Sequence, residues 1–382
     1  MIEAQAQAPQ SSSDREASRR RPFPRYQQAV MGLRNYWYPA VLASRLGKKK
    51  PLPIKMLGEE LVLVREDDKV YCLQGRCAHR GVPLWEGNRE FPRTLTCPYH
   101  GWTYDLSDGR LVAALTDGPE STVVGRVKIK SYPAQERQGV VWVFVGEGEP
   151  PALETDVFPD FLEEGALLGA RVFEWEGNWR LAMEGAIDPS HPFYLHRMAW
   201  LATTFDMIAA RGRHWPEIID NKWITYRTDA PVPVADFPGL GRWPQKRWWH
   251  RQHMNKLDVY GALPCSSKVV NLNFNLPFVT YSWYVPIDGK RYRWFTFLLA
   301  PKKDIPGLKR VWAWLKYWLW LRWMYQGQFL RQDSWMNEIM HPFYDEQDGW
   351  VKERFFRPDV VLTAWRKLID EHARGIQEKP SF

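Results

Sequence analysis

Two short loops decide the reading of this chain: Cys77-Ala78-His79-Arg80-Gly81 and, with 17 residues between His79 and Cys97, Cys97-Pro98-Tyr99-His100-Gly101-Trp102. Each loop couples one thiolate to one imidazole, so two soft sulfurs and two ring nitrogens are brought toward a common metal. A tetrahedral zinc accepts such a mixture, but zinc loops usually pair two thiolates as C-x-x-C. A [2Fe-2S] cluster with two Cys on one iron and two His on the other suits one of each per loop, and the mixed loops favour it. Neutral imidazoles in place of two thiolates raise such a cluster to about −150 to +300 mV, against about −400 mV for an all-Cys ferredoxin. It can therefore take an electron from a ferredoxin, and something downstream must receive it.

The remaining cysteines, Cys72 and Cys265, are too few for a disulfide framework, so buried free thiols and a reducing, cytoplasmic compartment are expected. With 382 residues, 45% of them hydrophobic, the chain has material for two domains. Residues 1–25 hold five Arg against Glu3, Asp14 and Glu16, so most of the net +8 belongs to the folded part. A basic surface attracts an acidic redox partner, an anionic substrate, a membrane or nucleic acid. No helix-turn-helix, zinc-finger or RNA-binding signature accompanies it, and nucleic acid is not expected. Ser18-Arg19-Arg20-Arg21 faintly resembles a twin-arginine signal, but no apolar run follows and export is not expected.

Along the chain, residues 1–30 read as a disordered basic tail. Strand patterns follow at Ile54–Leu73 and Val140–Val145, bracketing the two loops, so a small antiparallel β domain over 31–155 carries the metal at its tip. Residues 156–382 read as strands at Lys268–Leu276, Val279–Ile287 and Tyr292–Leu299, with Asp288-Gly289 as a hairpin turn. Helices are expected near Trp179–Ile187 and at about 307–329 and 358–375. An antiparallel sheet covered by helices, an α+β domain, is the economical architecture.

A second constellation lies in Glu184-Gly-Ala-Ile-Asp188-Pro-Ser-His191-Pro-Phe-Tyr-Leu-His196, two imidazoles and two carboxylates within 13 residues. Pro189 and Pro192 oppose a continuous helix, so a turn rather than helical periodicity aims the rings. Two His and one carboxylate make the facial triad of non-haem Fe(II), which leaves positions open for O2 and substrate. The third ligand must then come from elsewhere in the chain. His214, His250, His253, His341 and His372 show no ligand-like spacing.

Taken together, Cys77-x-His79, Cys97-x-x-His100 with Gly101-Trp102-Thr-Tyr104, and Asp188-x-x-His191-x4-His196 resemble the terminal oxygenase component of Rieske non-haem iron ring-hydroxylating oxygenases. The resemblance runs from about Arg34 to Gln377. It is strongest to the carbazole dioxygenase subgroup through Arg34–Pro39, Asn178–Ala182, Trp283–Asp288 and Ala364–Leu368. It implies an N-terminal Rieske domain and a C-terminal helix-grip-like catalytic domain, and a homotrimer without small subunits. It implies cluster ligands Cys77, His79, Cys97 and His100, and an iron held by His191, His196 and Asp333. Asp188 matches the residue that bridges His100 of one subunit to an iron-bound His of the next, and Glu184 a polar residue just outside the ligands. NADH would be oxidised by a separate reductase, with or without a ferredoxin, since no G-x-G-x-x-G follows a strand here.

The implied reaction is O2-dependent hydroxylation of a small hydrophobic aromatic substrate, first of all cis-dihydroxylation. Monooxygenation and O- or N-demethylation use the same iron, and a pure electron carrier would keep the cluster and lack the iron. Phe193, Phe205, Met207, Phe274 and Trp283 are candidate pocket lining. Two departures from the subgroup stand out. His191 and His196 are four residues apart, where the subgroup has three, and Val311-Trp-Ala-Trp-Leu-Lys-Tyr-Trp-Leu-Trp-Leu-Arg-Trp-Met-Tyr325 is far more apolar than its counterparts. That stretch, within 306–329, reads either as a helix buried over the catalytic site or at a subunit contact, or as a membrane-surface contact. Arg242-Trp-Pro-Gln-Lys246-Arg247-Trp-Trp-His250-Arg251 reads as a solvated cation–π loop or as a dock for an acidic ferredoxin.

Overall fold

The computed structural model describes residues 22–163, 167–196, 213–228, 258–270, 278–300 and 307–380. The N-terminal half is three small antiparallel sheets. Tyr36–Leu42, Val140–Val145 and Ala134–Arg137 form one, and Leu52–Met56, Glu59–Glu66, Lys69–Gln74 and Ser131–Tyr132 the second. The third, Thr94–Thr96, Trp102–Asp105 and Leu111–Ala114, stands behind the loop at Cys97.

The C-terminal half is built on one seven-stranded antiparallel sheet. Its order is Leu167–Glu176, Arg291–Leu299, Val279–Asp288, Ser266–Val270, Asp258–Ala262, Trp223–Thr228 and His214–Ile219. The turn expected at Asp288-Gly289 closes the central hairpin, with Asp288 opposite Arg291 and its carboxylate accepting from the Lys290 amide. These two strands are buried almost without alternation because both faces are covered. Cross-strand partners Trp283 and Phe295 point one way, where Trp283 meets Trp142 of the N-terminal half at 5.4 Å and Phe161 at 4.9 Å. Tyr284 and Trp294, the next pair, point the other way with Tyr292, whose hydroxyl meets Asn337 of the helix Leu330–Glu346 at 3.3 Å. Trp283 therefore belongs to the seam between the two halves, which corrects the expectation that it lines a pocket. Strand periodicity fixes that neighbours face apart, not which one faces the pocket.

The tail expected over 1–30 is too long. Pro24–Gln28 is a short helix with Tyr26 fully buried, and Arg25 donates to the carbonyls of Asp370 and Ala373. Gly32–Leu33 then pairs with Ile376–Gln377, tying the two ends together.

Tyr26 also explains Glu184. The helix Trp179–Ile187, started by Asn178 whose side chain accepts from the Arg180 amide, ends at Asp188 where Pro189 follows. Glu184, on its buried face, accepts from Tyr26 Oη at 2.6 Å and from Arg366 at 2.5 and 2.8 Å. Arg366 is also paired with Glu353. The expectation that Glu184 is a polar residue next to the iron is corrected accordingly: it clamps the helix Val360–His372 to the helix that leads into Asp188. Removing the cation from this buried triad strands two carboxylates, so Arg366→Met should lower the stability of the C-terminal half by about 3–5 kcal/mol. Thermal unfolding would register this as a lowered catalytic-domain transition, with the cluster absorbance of the N-terminal half intact.

Candidate metal centres

The two Cys-His loops are copies in backbone terms. The Cys77 amide donates to the Val82 carbonyl and the Cys77 carbonyl accepts from Gly81; Cys97 does the same with Trp102 and Gly101. Each loop turns back through a glycine at positive φ, +68° at Gly81 and +66° at Gly101, a conformation other residues adopt only with strain. At Gly101 a Cβ would also stand 2.6 Å from the Leu115 side chain. The thiols of Cys77 and Cys97 are buried side by side, whereas His79 is exposed and His100 partly so. The two imidazoles lie 4.7 Å apart between centroids, with His79 stacked on Trp102 at 4.9 Å.

This separation into an inner sulfur pair and an outer imidazole pair fits a cluster whose two irons take different ligands. A single zinc would draw all four donors to within about 4 Å of one another. Among the described residues, no group of three or more including these four is gathered that closely. Burial pushes the Cys97 thiol up, opposed by the amides of Tyr99 and His100, which are aimed at its sulfur. Tyr104 accepts from the Ala78 amide at 3.1 Å, which leaves its own proton free for Cys77 Sγ at 3.2 Å. Bonds of this kind to sulfur favour the reduced cluster. Tyr104 lay in the recognised motif, but its role was not readable from spacing.

The second centre is assembled from two segments. The chain breaks at Asp188-Pro189, as the prolines predict, but resumes as the short helix His191–Leu195, so the two rings flank a single helical turn rather than the non-helical turn expected. His191 donates from Nδ1 to the Asp188 carbonyl at 3.2 Å, and His196 from Nδ1 to Gln332 Oε1 at 2.8 Å. Both partners are acceptors, so each ring keeps its proton on Nδ1 and turns the Nε2 lone pair inward. The two Nε2 atoms converge on one oxygen, Asp333 Oδ1, at 3.4 and 3.1 Å. That oxygen is buried and makes no hydrogen bond.

Three lone pairs facing each other require a cation. Donors bound at about 2.1 Å and roughly 90–109° apart around one ion sit about 3.0–3.4 Å from each other, which is the spacing found. Without a metal, protons must fill the gap. Burial opposes charge at both groups, yet the imidazoles hold the Asp333 carboxyl down at about 2, and His191 is raised by Asp333 and Asp188. Phe329 stacks on His196 at 3.8 Å, closing that flank.

Asp188 keeps a different post. Its Oδ1 accepts from the Ser190 amide and hydroxyl, both at 2.7 Å, leaving Oδ2 3.7 Å from His191 Nδ1. Nothing in the spacing of Gln332 in the sequence points to His196. Cys72 and Cys265 are buried and burial raises both thiols, as expected of inert packing residues. Phe205, Met207, Phe274 and the cluster at 242–251 lie outside the described residues, as does the side chain of Phe193.

The sequence pattern of the Rieske [2Fe-2S] domain matches residues 36–133, and that of the homotrimeric ring hydroxylases matches 144–216 and 217–377. The terminal oxygenase component of carbazole 1,9a-dioxygenase from Metapseudomonas resinovorans is 34% identical over 92% of this chain and 94% of its own. A reduced complex between oxygenase and ferredoxin of carbazole 1,9a-dioxygenase superposes with TM-score 0.82 at 31% identity, covering 96% of both chains. The corresponding terminal oxygenase from Nocardioides aromaticivorans gives 0.80 at 32%, covering 94% of this chain and all of its own. With both metal centres built and both halves matched, this chain belongs to the homotrimeric ring hydroxylases, the terminal oxygenases of Rieske non-haem iron systems.

Proposed function

We propose that this oxygenase adds both atoms of O2 to a small hydrophobic aromatic ring, as a cis-dihydroxylation, with electrons drawn from NADH by a separate reductase and relayed by a ferredoxin. The observation that carries it is the unpartnered Asp333 Oδ1 facing two Nε2 atoms. A pure electron carrier has no use for that arrangement. Relatives crystallised with a ferredoxin support a ferredoxin as donor.

In this reading Cys77, His79, Cys97 and His100 hold the cluster, and His191, His196 and Asp333 hold the iron. When bound, the cluster stores one electron and the iron supplies the open coordination positions at which O2 is activated. The chain's own part is to fix donors and protons. Gln332 and the Asp188 carbonyl keep both imidazoles in the Nδ1–H form, so each Nε2 lone pair is turned toward Asp333 and its basicity as a ligand is raised. Phe329 shields His196 from water. Asp188 holds its second carboxylate oxygen beside His191, where it would join that residue to His100 of the adjacent subunit in the trimer.

Two measurements test this. Asp333→Ala should reduce iron from about three to about two atoms per chain while the cluster's visible absorbance and electron-spin signal persist; parallel loss of the cluster would refute two separate centres. With a surrogate reductase and ferredoxin, a panel of bicyclic and tricyclic aromatics should yield a cis-dihydrodiol or its direct breakdown product. A phenol or a released aldehyde as the sole product would instead place the enzyme among monooxygenases or demethylases.

A further inference from the structure

The Trp-rich stretch is neither a buried helix nor a featureless one. Leu308–Lys316 is α-helical, Tyr317–Leu321 and Met324–Phe329 wind as π-helix, and the chain runs on into Leu330–Glu346. Five of its buried residues recur every fourth position, Ala313, Tyr317, Leu321, Tyr325 and Phe329, with Gln326 and Leu330 buried beside the last two. An α-helix repeats every 3.6 residues and would rotate that column off the sheet; alternating α and wider π turns hold it in line. Tyr317 lies where a Cβ on Gly169 would be, and Tyr325 and Gln326 bond to Thr280 and Thr296, so the inner column is locked to the sheet.

The same winding sorts the outer residues into columns. Directly opposite the buried one stand Val311, Leu315, Leu319 and Trp323, exposed by 55, 38, 74 and 60%. To one side lie Trp312, Lys316 and Trp320, and to the other Arg310, Trp314, Trp318 and Arg322, the last with its guanidinium 4.4 Å over Trp318. Five cations, Lys309, Arg310, Lys316, Arg322 and Arg331, fall between 307 and 332, and no Asp or Glu does.

We propose that this face seats the enzyme on an anionic phospholipid surface, with the helix lying flat in the headgroup layer. An aliphatic crest flanked by indoles and cations matches the depth profile of a lipid interface: acyl chains at the centre, indole and ammonium or guanidinium groups among phosphates. The charged residues of 307–332 are all cations, a sign complementary to acidic lipid, whereas a second copy of the chain would have to supply matching carboxylates around an apolar contact. No helix among the described residues is long and apolar enough to cross a membrane, so the contact is superficial. The crest ends at Trp323, on the rim of an open cleft of about 580 Å³ that also carries Gln328, Trp335 and Gln332. Gln332 is the residue whose side-chain oxygen lies behind His196 Nδ1, so the cleft reaches the back of that ring from the crest.

The test uses the full-length, cluster-loaded protein sedimented with vesicles of phosphatidylcholine alone or with phosphatidylglycerol added, at low and high salt. Wild type should pellet with the anionic vesicles and less so in high salt. Trp312→Glu/Leu319→Glu, both on exposed positions, should bind at least about tenfold more weakly with unchanged gel-filtration size. Lys309→Glu/Arg310→Glu should lose the preference for anionic lipid. Wild type left in the supernatant with both vesicle types would overturn the proposal, whether or not the variants fold. So would dissociation of Trp312→Glu/Leu319→Glu into protomers with vesicle binding retained, which would assign the face to a second copy.

Discussion

A carboxylate oxygen with two imidazole lone pairs aimed at it, and no proton to share, is the constraint around which the C-terminal half is arranged. Such a cluster is repulsive until a cation enters, so the protein has to hold it open against collapse and against protonation. It does so from three sides. The helix bearing Asp333 is held to the sheet through Asn337 and Tyr292, and the segment bearing the histidines hangs from a helix clamped by Glu184 and Arg366. The ring protons are parked on acceptors behind the donors. Rigidity of this kind belongs on packed elements rather than loops, which is why the sheet beneath is buried on both faces.

The cluster site solves the opposite problem. Its ligands come from two neighbouring loops of nearly identical hydrogen bonding, so its geometry is local, and the glycines that turn them are within four residues of each cysteine. Sulfur is buried and imidazole more exposed, so a cluster held by these four residues would have its imidazole side nearer the surface. Locality is also why this site was legible in the sequence. Spacing alone singled out Cys77, His79, Cys97 and His100, because all four fall within two short windows.

Legibility fell where contacts became long-range. The histidine pair was readable as an iron motif, but Asp333 is 137 residues beyond His196 and entered only through resemblance; the fold brings its carboxylate against both imidazoles. Gln332 could not be read at all, since its partner is chosen by folding. Strands and the Asp288-Gly289 hairpin were visible from periodicity and turn chemistry, whereas the face of Trp283 was not, because alternation distinguishes two faces without naming them. Glu184 was misjudged for a related reason: proximity in sequence to a metal motif says nothing about which side of its helix a residue occupies. The helix at Pro24–Gln28 escaped notice because five residues of Pro, Arg, Tyr and Gln carry no periodic signal, and long-range contacts of Tyr26 and Arg25 fix them.

The Trp-rich helix shows how an assumed pitch can hide a pattern. On a wheel of 100° per residue its Trp and Leu cover nearly every direction, which is what a fully buried helix would look like. At four residues per turn the same letters separate into one inward column, one apolar crest and two mixed flanks. The wider turns are not free, since π geometry is rarely adopted, and here it brings every fourth side chain against one strip of sheet. The inward register therefore dictates the outward one. Any change that restored a regular α pitch would turn Tyr325 and Phe329 away from the sheet and from His196 as it scattered the crest, so the surface pattern and the iron ligand's shielding are set by a single winding.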